Sequence, residues 1–229
     1  MSILRRIFCS SMVLLAAVPL ASRAADESAQ FQNVEIRVIR PKFFQKSLRF
    51  EFGASIAAVM NKSFTYTYLP TARLSVHFTE WLELFGEGAV GLTINKSDCT
   101  ELGSKFSIEP VVDEFDKLFG GGIAVTPIYG KYQLGSGDVV YFDWFLIGGG
   151  GMANMNRREQ GCKPRAADEP LKRPEPYSPV QFNFGTGQRF FLNKNSSVNW
   201  YVRDFVVGLP KNAGFNQNVT LSFGASYYF

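Results

Sequence analysis

Residues Asn218 to Phe229 read NVTLSFGASYYF, and the fold follows from how this stretch is read. Val219, Leu221, Phe223, Ala225, Tyr227 and Phe229 fall on one face, with Asn218, Thr220, Ser222, Gly224, Ser226 and Tyr228 on the other. An unbroken period of two is a strand with one apolar and one polar side. The stretch is also long enough to cross a bilayer, which takes about 9–11 tilted residues.

The same rhythm recurs upstream. From Ser47, Leu48, Phe50, Phe52, Ala54, Ile56 and Ala58 oppose Arg49, Glu51, Gly53 and Ser55. A second strand sets Tyr66, Tyr68, Ala72, Leu74, Val76 and Phe78 against Thr67, Thr71, Arg73, Ser75 and His77, with Pro70 predicting a bulge or a weakly paired spot. A third sets Leu82, Leu84, Gly86, Gly88, Val90, Leu92 and Ile94 against Glu83, Phe85, Glu87 and Thr93. The fourth is expected over 121–132, with Ile123, Val125, Pro127 and Tyr129 aligned. In the fifth, Val139 to Met152, the pattern points Val140, Phe142, Trp144 and Leu146 outward and Tyr141, Asp143 and Phe145 inward. The sixth, Val180 to Phe191, sets Val180, Phe182 and Phe184 against Gln181, Asn183 and Arg189, and the seventh runs Val198 to Val207, its facing open because Arg203 and Asp204 are adjacent. Residues 218–229 make the eighth.

Two long connections interrupt the series. Residues 95–120 hold Cys99 and a predicted short helix between Glu109 and Gly120, where Val111, Val112, Phe115, Leu118 and Phe119 recur at helical spacing behind Pro110. Residues 153–178 hold Cys162 amid prolines and charges, a composition that marks a solvated loop. The connections after strands two, four and six are tight, which predicts short periplasmic turns on one rim and longer external loops on the other.

No run after the first two dozen residues reaches the 18 or so apolar residues that a spanning helix needs. Strands that span a membrane must close on themselves, because hydrocarbon satisfies no free backbone edge. The expected fold is therefore all-β: an eight-stranded antiparallel up-and-down transmembrane β-barrel with a short loop helix. One soluble sandwich or barrel domain is the competing architecture.

The N-terminus has the layout of a secretory signal: Arg5 and Arg6, an apolar run from Ile7 to Leu20, and Ser22-Arg23-Ala24 as the cleavage site. The expected organisation is a signal peptide over 1–24, a periplasmic N-terminal segment over 25–46 and the barrel over 47–229. The chain has 24 basic and 20 acidic residues, and losing Arg5, Arg6 and Arg23 leaves 21 against 20, a net charge of +1. Nothing in that balance argues for nucleic acid. Cys99 and Cys162 remain after export, and an oxidising compartment favours a disulfide over two free thiols. They are too few, and lack neighbouring histidines, for a metal site.

Leu221, Phe223, Tyr227 and Phe229 resemble the C-terminal assembly signal of bacterial outer-membrane β-barrel proteins, which implies outer-membrane lipid and the barrel assembly machinery as partners. The runs Ile39-Arg40-Pro41-Lys42-Phe43-Phe44, Ser47-Leu48-Arg49-Phe50-Glu51-Phe52, Asn61-Lys62-Ser63-Phe64 and Ser75-Val76-His77-Phe78-Thr79-Glu80-Trp81 resemble an outer-membrane β-barrel domain family of gliding and predatory bacteria. Thr126 to Lys131, with Asp143, is similar to the middle of that family. The resemblance implies location, fold and possible envelope protein partners, and little chemistry.

The interior of an eight-stranded barrel is just wide enough to be filled by side chains. The inward charges are expected to be Arg49, Glu51, Arg73, Glu83, Glu87, Asp143 and Arg203, nearly balanced in sign, and buried charges persist only when paired. The expected function is a monomeric structural or interaction protein of the cell envelope. Its alternatives are a narrow channel for small or apolar solutes and a lipid-modifying enzyme. The enzyme rests on His77 alone, without a Gly-x-Ser-x-Gly elbow to supply a nucleophile, so no catalytic, cofactor or metal residue is assigned. The glycine runs 120–122 and 148–151 lack the Lys-Ser/Thr and helix of a phosphate loop, so they read as flexible strand ends.

Overall fold

The computed structural model describes residues 45–106, 110–134, 138–158, 175–209 and 214–229. The signal segment, residues 25–44 of the N-terminal segment and Cys162 lie outside these. The elements in order are β1 (Arg49–Val59), β2 (Thr65–His77), β3 (Leu82–Val90), β4 (Leu92–Asn95), α1 (Ser97–Phe106), β5 (Val112–Leu134), β6 (Asp138–Arg158), β7 (Glu175–Tyr177), β8 (Val180–Phe191), β9 (Ser196–Gly208) and β10 (Phe215–Tyr228).

Every pairing is antiparallel. The path β1-β2-β3-β5-β6-β8-β9-β10 returns to β1 and closes an eight-membered ring. The closing seam runs from Glu51↔Tyr228 to Val59↔Thr220, and the Phe229 N–H adds a bond to the Phe50 carbonyl at 2.9 Å. β4 continues β3 in the same register against β2, and β7 extends the β8 side of β6. The break between β3 and β4 falls at Gly91, whose N–H turns to the Asp116 carbonyl at 2.7 Å. On β2 the break leaves Leu69, opposite Gly91, and Pro70, opposite Val90, out of both pairings; Pro70 has no N–H to offer and keeps register with Ile56 on the other side. This is the weakly paired spot expected there.

Side chains sort by parity, as alternation dictates. Phe50, Leu74, Leu84, Ile123, Leu146, Phe184 and Phe223 stand exposed on the outer wall, whereas Glu51, Arg73, Glu83, Asp143, Arg203 and Ser222 are buried inside. An apolar exterior around a charged interior inverts the usual soluble arrangement. β9 alternates without a bulge, so Arg203 points in and Asp204 out, where Asp204 accepts the Asn218 backbone N–H at 3.0 Å.

Three expectations are corrected. The helix lies at Ser97–Phe106, and 112–134 is strand. The β5–β6 register shifts between Phe115 and Lys117, so one extra residue places Phe115 and Leu118 three apart yet both inside, imitating a helical stripe. A second shift between Val125 and Ile128 exchanges faces below it: Ile128 is outward and Tyr129 stacks inward on Tyr141, against the expected alignment with Ile123. The connection expected at 153–178 is also shorter, because β6 runs on to Arg158.

The strand ends at Val59, Thr65, Asn95, Val112, Arg158, Gly208 and Phe215 share one rim, and those at His77, Leu82, Leu134, Asp138, Phe191 and Ser196 share the other. We call these the long-loop and short-turn rims.

Candidate functional site: the ion-paired lumen

The lumen is layered. At the short-turn rim, Tyr129, Tyr141, Phe191 and Tyr228 pack together. Beside them Lys46, only 1% exposed, ion-pairs with Asp143 and reaches Thr126 Oγ1 at 3.4 Å. Lys46 was expected in the segment ahead of the barrel; it lies inside. Glu80 holds the turn that delivers it, its Oε1 accepting the N–H groups of Lys46 and Ser47 at 3.0 Å each. Leu48 in that turn has φ of 59°, a left-handed conformation uncommon for a residue with a Cβ. Arg49, expected in the interior set, stays at this rim, donating to the carbonyls of Phe229 at 3.2 Å and Lys194 at 2.9 Å.

The next layer joins Glu51, His77, Glu83 and Arg189. Arg189 Nη2 lies 3.3 Å from Glu51 and 3.0 Å from Glu83, and His77 Nε2 is 2.7 Å from Glu51 Oε2. β2 and β3 bring His77 opposite Glu83, and β1 and β2 bring Glu51 opposite Ser75, so neighbouring registers assemble the cluster. Among the described residues, Glu51, His77 and Glu83 form a group with ligand spacing for a metal ion. The Arg189 guanidinium bridges the two carboxylates and supplies the positive charge a cation would bring.

The third layer holds Glu87 between two arginines. Arg73 Nη2 reaches Glu87 Oε2 at 2.9 Å from the adjacent strand, and Arg203 makes a fork to both Glu87 oxygens from the far side of the barrel. Rings replace water around the guanidiniums: Arg73 lies 4.6 Å from the Phe85 centroid, Arg203 5.0 Å from Tyr201 and from Phe205, and Arg189 5.3 Å from Phe145.

Toward the long-loop rim the charges give way to apolar side chains mixed with buried Thr67, Gln181, Asn183 and Asn218. Ala57, Val59, Leu69, Ala89, Phe115, Leu118, Ala153, Met155, Phe205 and Val207 form one buried cluster. Two small cavities in the lumen are lined by described residues, each of about 10 Å³, room for about one water. One is bordered by Glu51, Arg73 and Arg189, the other by Leu69, Glu87 and Leu118, and Tyr201 lines both.

Of the sequence-predicted interior charges, Glu51, Arg73, Glu83, Glu87, Asp143 and Arg203 meet in the lumen. Lys46 and Arg189 were missing from that set. Arg189 carried a signal, being in phase with Gln181 and Asn183; Lys46 precedes the first periodic residue and carried none. Cys99 on α1 is fully buried near the long-loop rim.

No family model matches the chain, and no curated protein matches it. Among solved structures, the chain is similar to the N-terminal β-barrel domain of Pseudomonas aeruginosa OprF, at 11% identity over 81% of this chain and 100% of that one, with a TM-score of 0.49. It is also similar to Ail, the attachment invasion locus protein of Yersinia pestis, at 14% identity over 79% and 97% with a TM-score of 0.40. A third likeness is to Neisserial surface protein A, at 14% identity over 79% and 95% with a TM-score of 0.37.

Proposed function

We propose that the chain is an integral outer-membrane barrel with a sealed lumen, acting as a structural and interaction protein of the cell envelope. One observation carries this reading: charged layers locked by ion pairs, capped by a packed layer of apolar and amide side chains, with the two cavities lined by these described residues each no larger than about one water. An ion crossing this lumen would have to separate buried pairs and then pass a constriction already filled by packed side chains. In the membrane, the short-turn rim faces the periplasm and the long-loop rim the exterior, following the usual arrangement of such barrels. The apolar outer wall contacts lipid, the face bearing Leu221, Phe223, Tyr227 and Phe229 is read by the assembly machinery, and residues 1–24 direct export. Cys99 pairs with Cys162 across the outer loops. The protein is a monomer and not an enzyme: His77 is enclosed, 2% exposed, with its Nε2 engaged by Glu51.

Reconstitution into planar bilayers tests the sealed lumen. The mature protein should give no stepwise current, and steps that vanish when the lumen is blocked would establish a channel instead. Thiol labelling of the denatured, unreduced protein should find neither mature cysteine reactive.

A further inference from the structure

The long-loop rim carries a pocket of about 160 Å³, lined by residues of the 60–64 connection, the start of β5 and the start of β10. Drug-sized pockets run from about 300 Å³, so a group of roughly one ring fits here. Its charge balance is unusual. Asp113 is taken by Arg157 through two bonds of 2.9 and 3.0 Å, and Glu114 by Arg158. Lys62 donates to the Asp113 backbone carbonyl at 3.2 Å and lies 5.9 Å from the Phe115 ring, and Lys96 donates to the Lys62 carbonyl at 2.6 Å and lies 4.9 Å from the Tyr66 ring. The two acids are thus satisfied by the two arginines, and both lysines are left without a carboxylate partner among the described residues. Burial holds the Lys62 ammonium below the usual lysine range, an effect only partly offset by Asp113 and Glu114. An anion reaching Lys62 would offset that cost by direct attraction to the ammonium. Around it, the side chains of Ser63, Asn216 and Gln217 line the pocket without a hydrogen bond to any described residue, and Phe64 adds a ring.

We propose that this pocket binds an anionic sugar, its carboxylate or phosphate set against Lys62 and its hydroxyls against Ser63, Asn216 and Gln217. A carbohydrate supplies what the lining lacks: one negative charge for the ammonium, and closely spaced hydroxyls that donate and accept as amides and a serine do. The inference rests on the reading of the long-loop rim as external, where sugars are either borne on outer-leaflet lipid or free.

The test is calorimetric titration of the full mature protein in detergent with galacturonate, neutral galactose and inorganic phosphate. Galacturonate should bind at least tenfold more tightly than either of the others. Lys62→Gln should lose at least tenfold, and Lys105→Gln, which removes the same charge from exposed α1, should lose less than twofold. A heat-dependent gel shift verifies that each variant is folded; if Lys62→Gln fails to fold, Asn216→Ala should lose severalfold in its place. Equal loss in Lys62→Gln and Lys105→Gln, or parity between galacturonate and phosphate, would overturn the proposal. Micelles containing lipopolysaccharide, compared with phosphatidylcholine micelles, then assign the source: tighter binding than to galacturonate points to lipid-borne sugar, and parity to soluble sugar. Maleimide labelling of Ser63→Cys on intact cells tests sidedness separately, since binding in detergent does not depend on which face is external.

Discussion

Glu87 shows what the lumen asks of a single residue. It faces two guanidiniums with almost no water, so its removal strands both Arg73 and Arg203. Breaking a buried pair from one side costs about 3–5 kcal/mol, because the remaining charge stays buried. Glu87→Ala should therefore lower stability by about that amount in urea unfolding from vesicles, followed by tryptophan fluorescence. Glu101→Ala removes an exposed partner of Lys105 on α1, both side chains being 63% exposed, and should change stability by no more than about 0.5 kcal/mol. Replacing the whole triad, Arg73→Met with Glu87→Leu and Arg203→Met, should recover most of the loss, since apolar side chains of similar volume remove the charges together. If the triad variant were as unstable as Glu87→Ala, stranded charge would not be the cause. That Glu87 points inward was legible from parity alone. Its two partners were not, because Arg203 approaches from across the barrel and alternation says nothing of depth.

At the scale of elements, regular strands were legible and their irregularities were not. β1, β2, β3, β8 and β10 follow the sequence pattern because each keeps one parity from end to end. β5 breaks parity twice, and the first break turned strand into apparent helix. The true helix escaped because SDCTELGSKF has no apolar stripe; Asp98 in its first turn and Lys105 in its last complement the dipole instead. β5 and β6 also meet through facing glycines, Gly120↔Gly151, Gly121↔Gly150 and Gly122↔Gly149. These read as flexible ends in the sequence, yet they lie in the middle of the paired wall, where the backbones approach closely. A Cβ on Gly149 would run into the Gly121 carbonyl, whereas one on Gly148 would meet open space. Gly149→Val should therefore cost about 2 kcal/mol or more and reduce the heat-shifted folded band, while Gly148→Val should stay within about 0.5 kcal/mol. Equal effects at the two positions would show that flexibility, not close approach, is what the glycines provide.

For the whole molecule, closure and inversion depend on each other. Closing the ring removes the two free edges that an open eight-stranded sheet would have, so the wall tolerates hydrocarbon, and the side chains too polar for the wall are gathered and neutralised inside. That arrangement makes stability depend on depth in a way no water-soluble barrel would share. Phe223 lies outward near the middle of β10 and is 57% exposed; Phe215, at its long-loop end, is 71% exposed. In water, arginine at either site would simply trade one exposed side chain for another, with little difference between them. In a bilayer, arginine at the midplane costs about 2–4 kcal/mol and near the interface about 0–1. Phe223→Arg should accordingly lose about 2–4 kcal/mol in vesicles, Phe215→Arg at most about 1, and the gap should narrow in short-chain detergent, where water reaches the whole wall. A Phe223→Arg protein as stable in vesicles as Phe215→Arg would remove the bilayer from around this wall and leave the closed sheet to be explained as a soluble barrel.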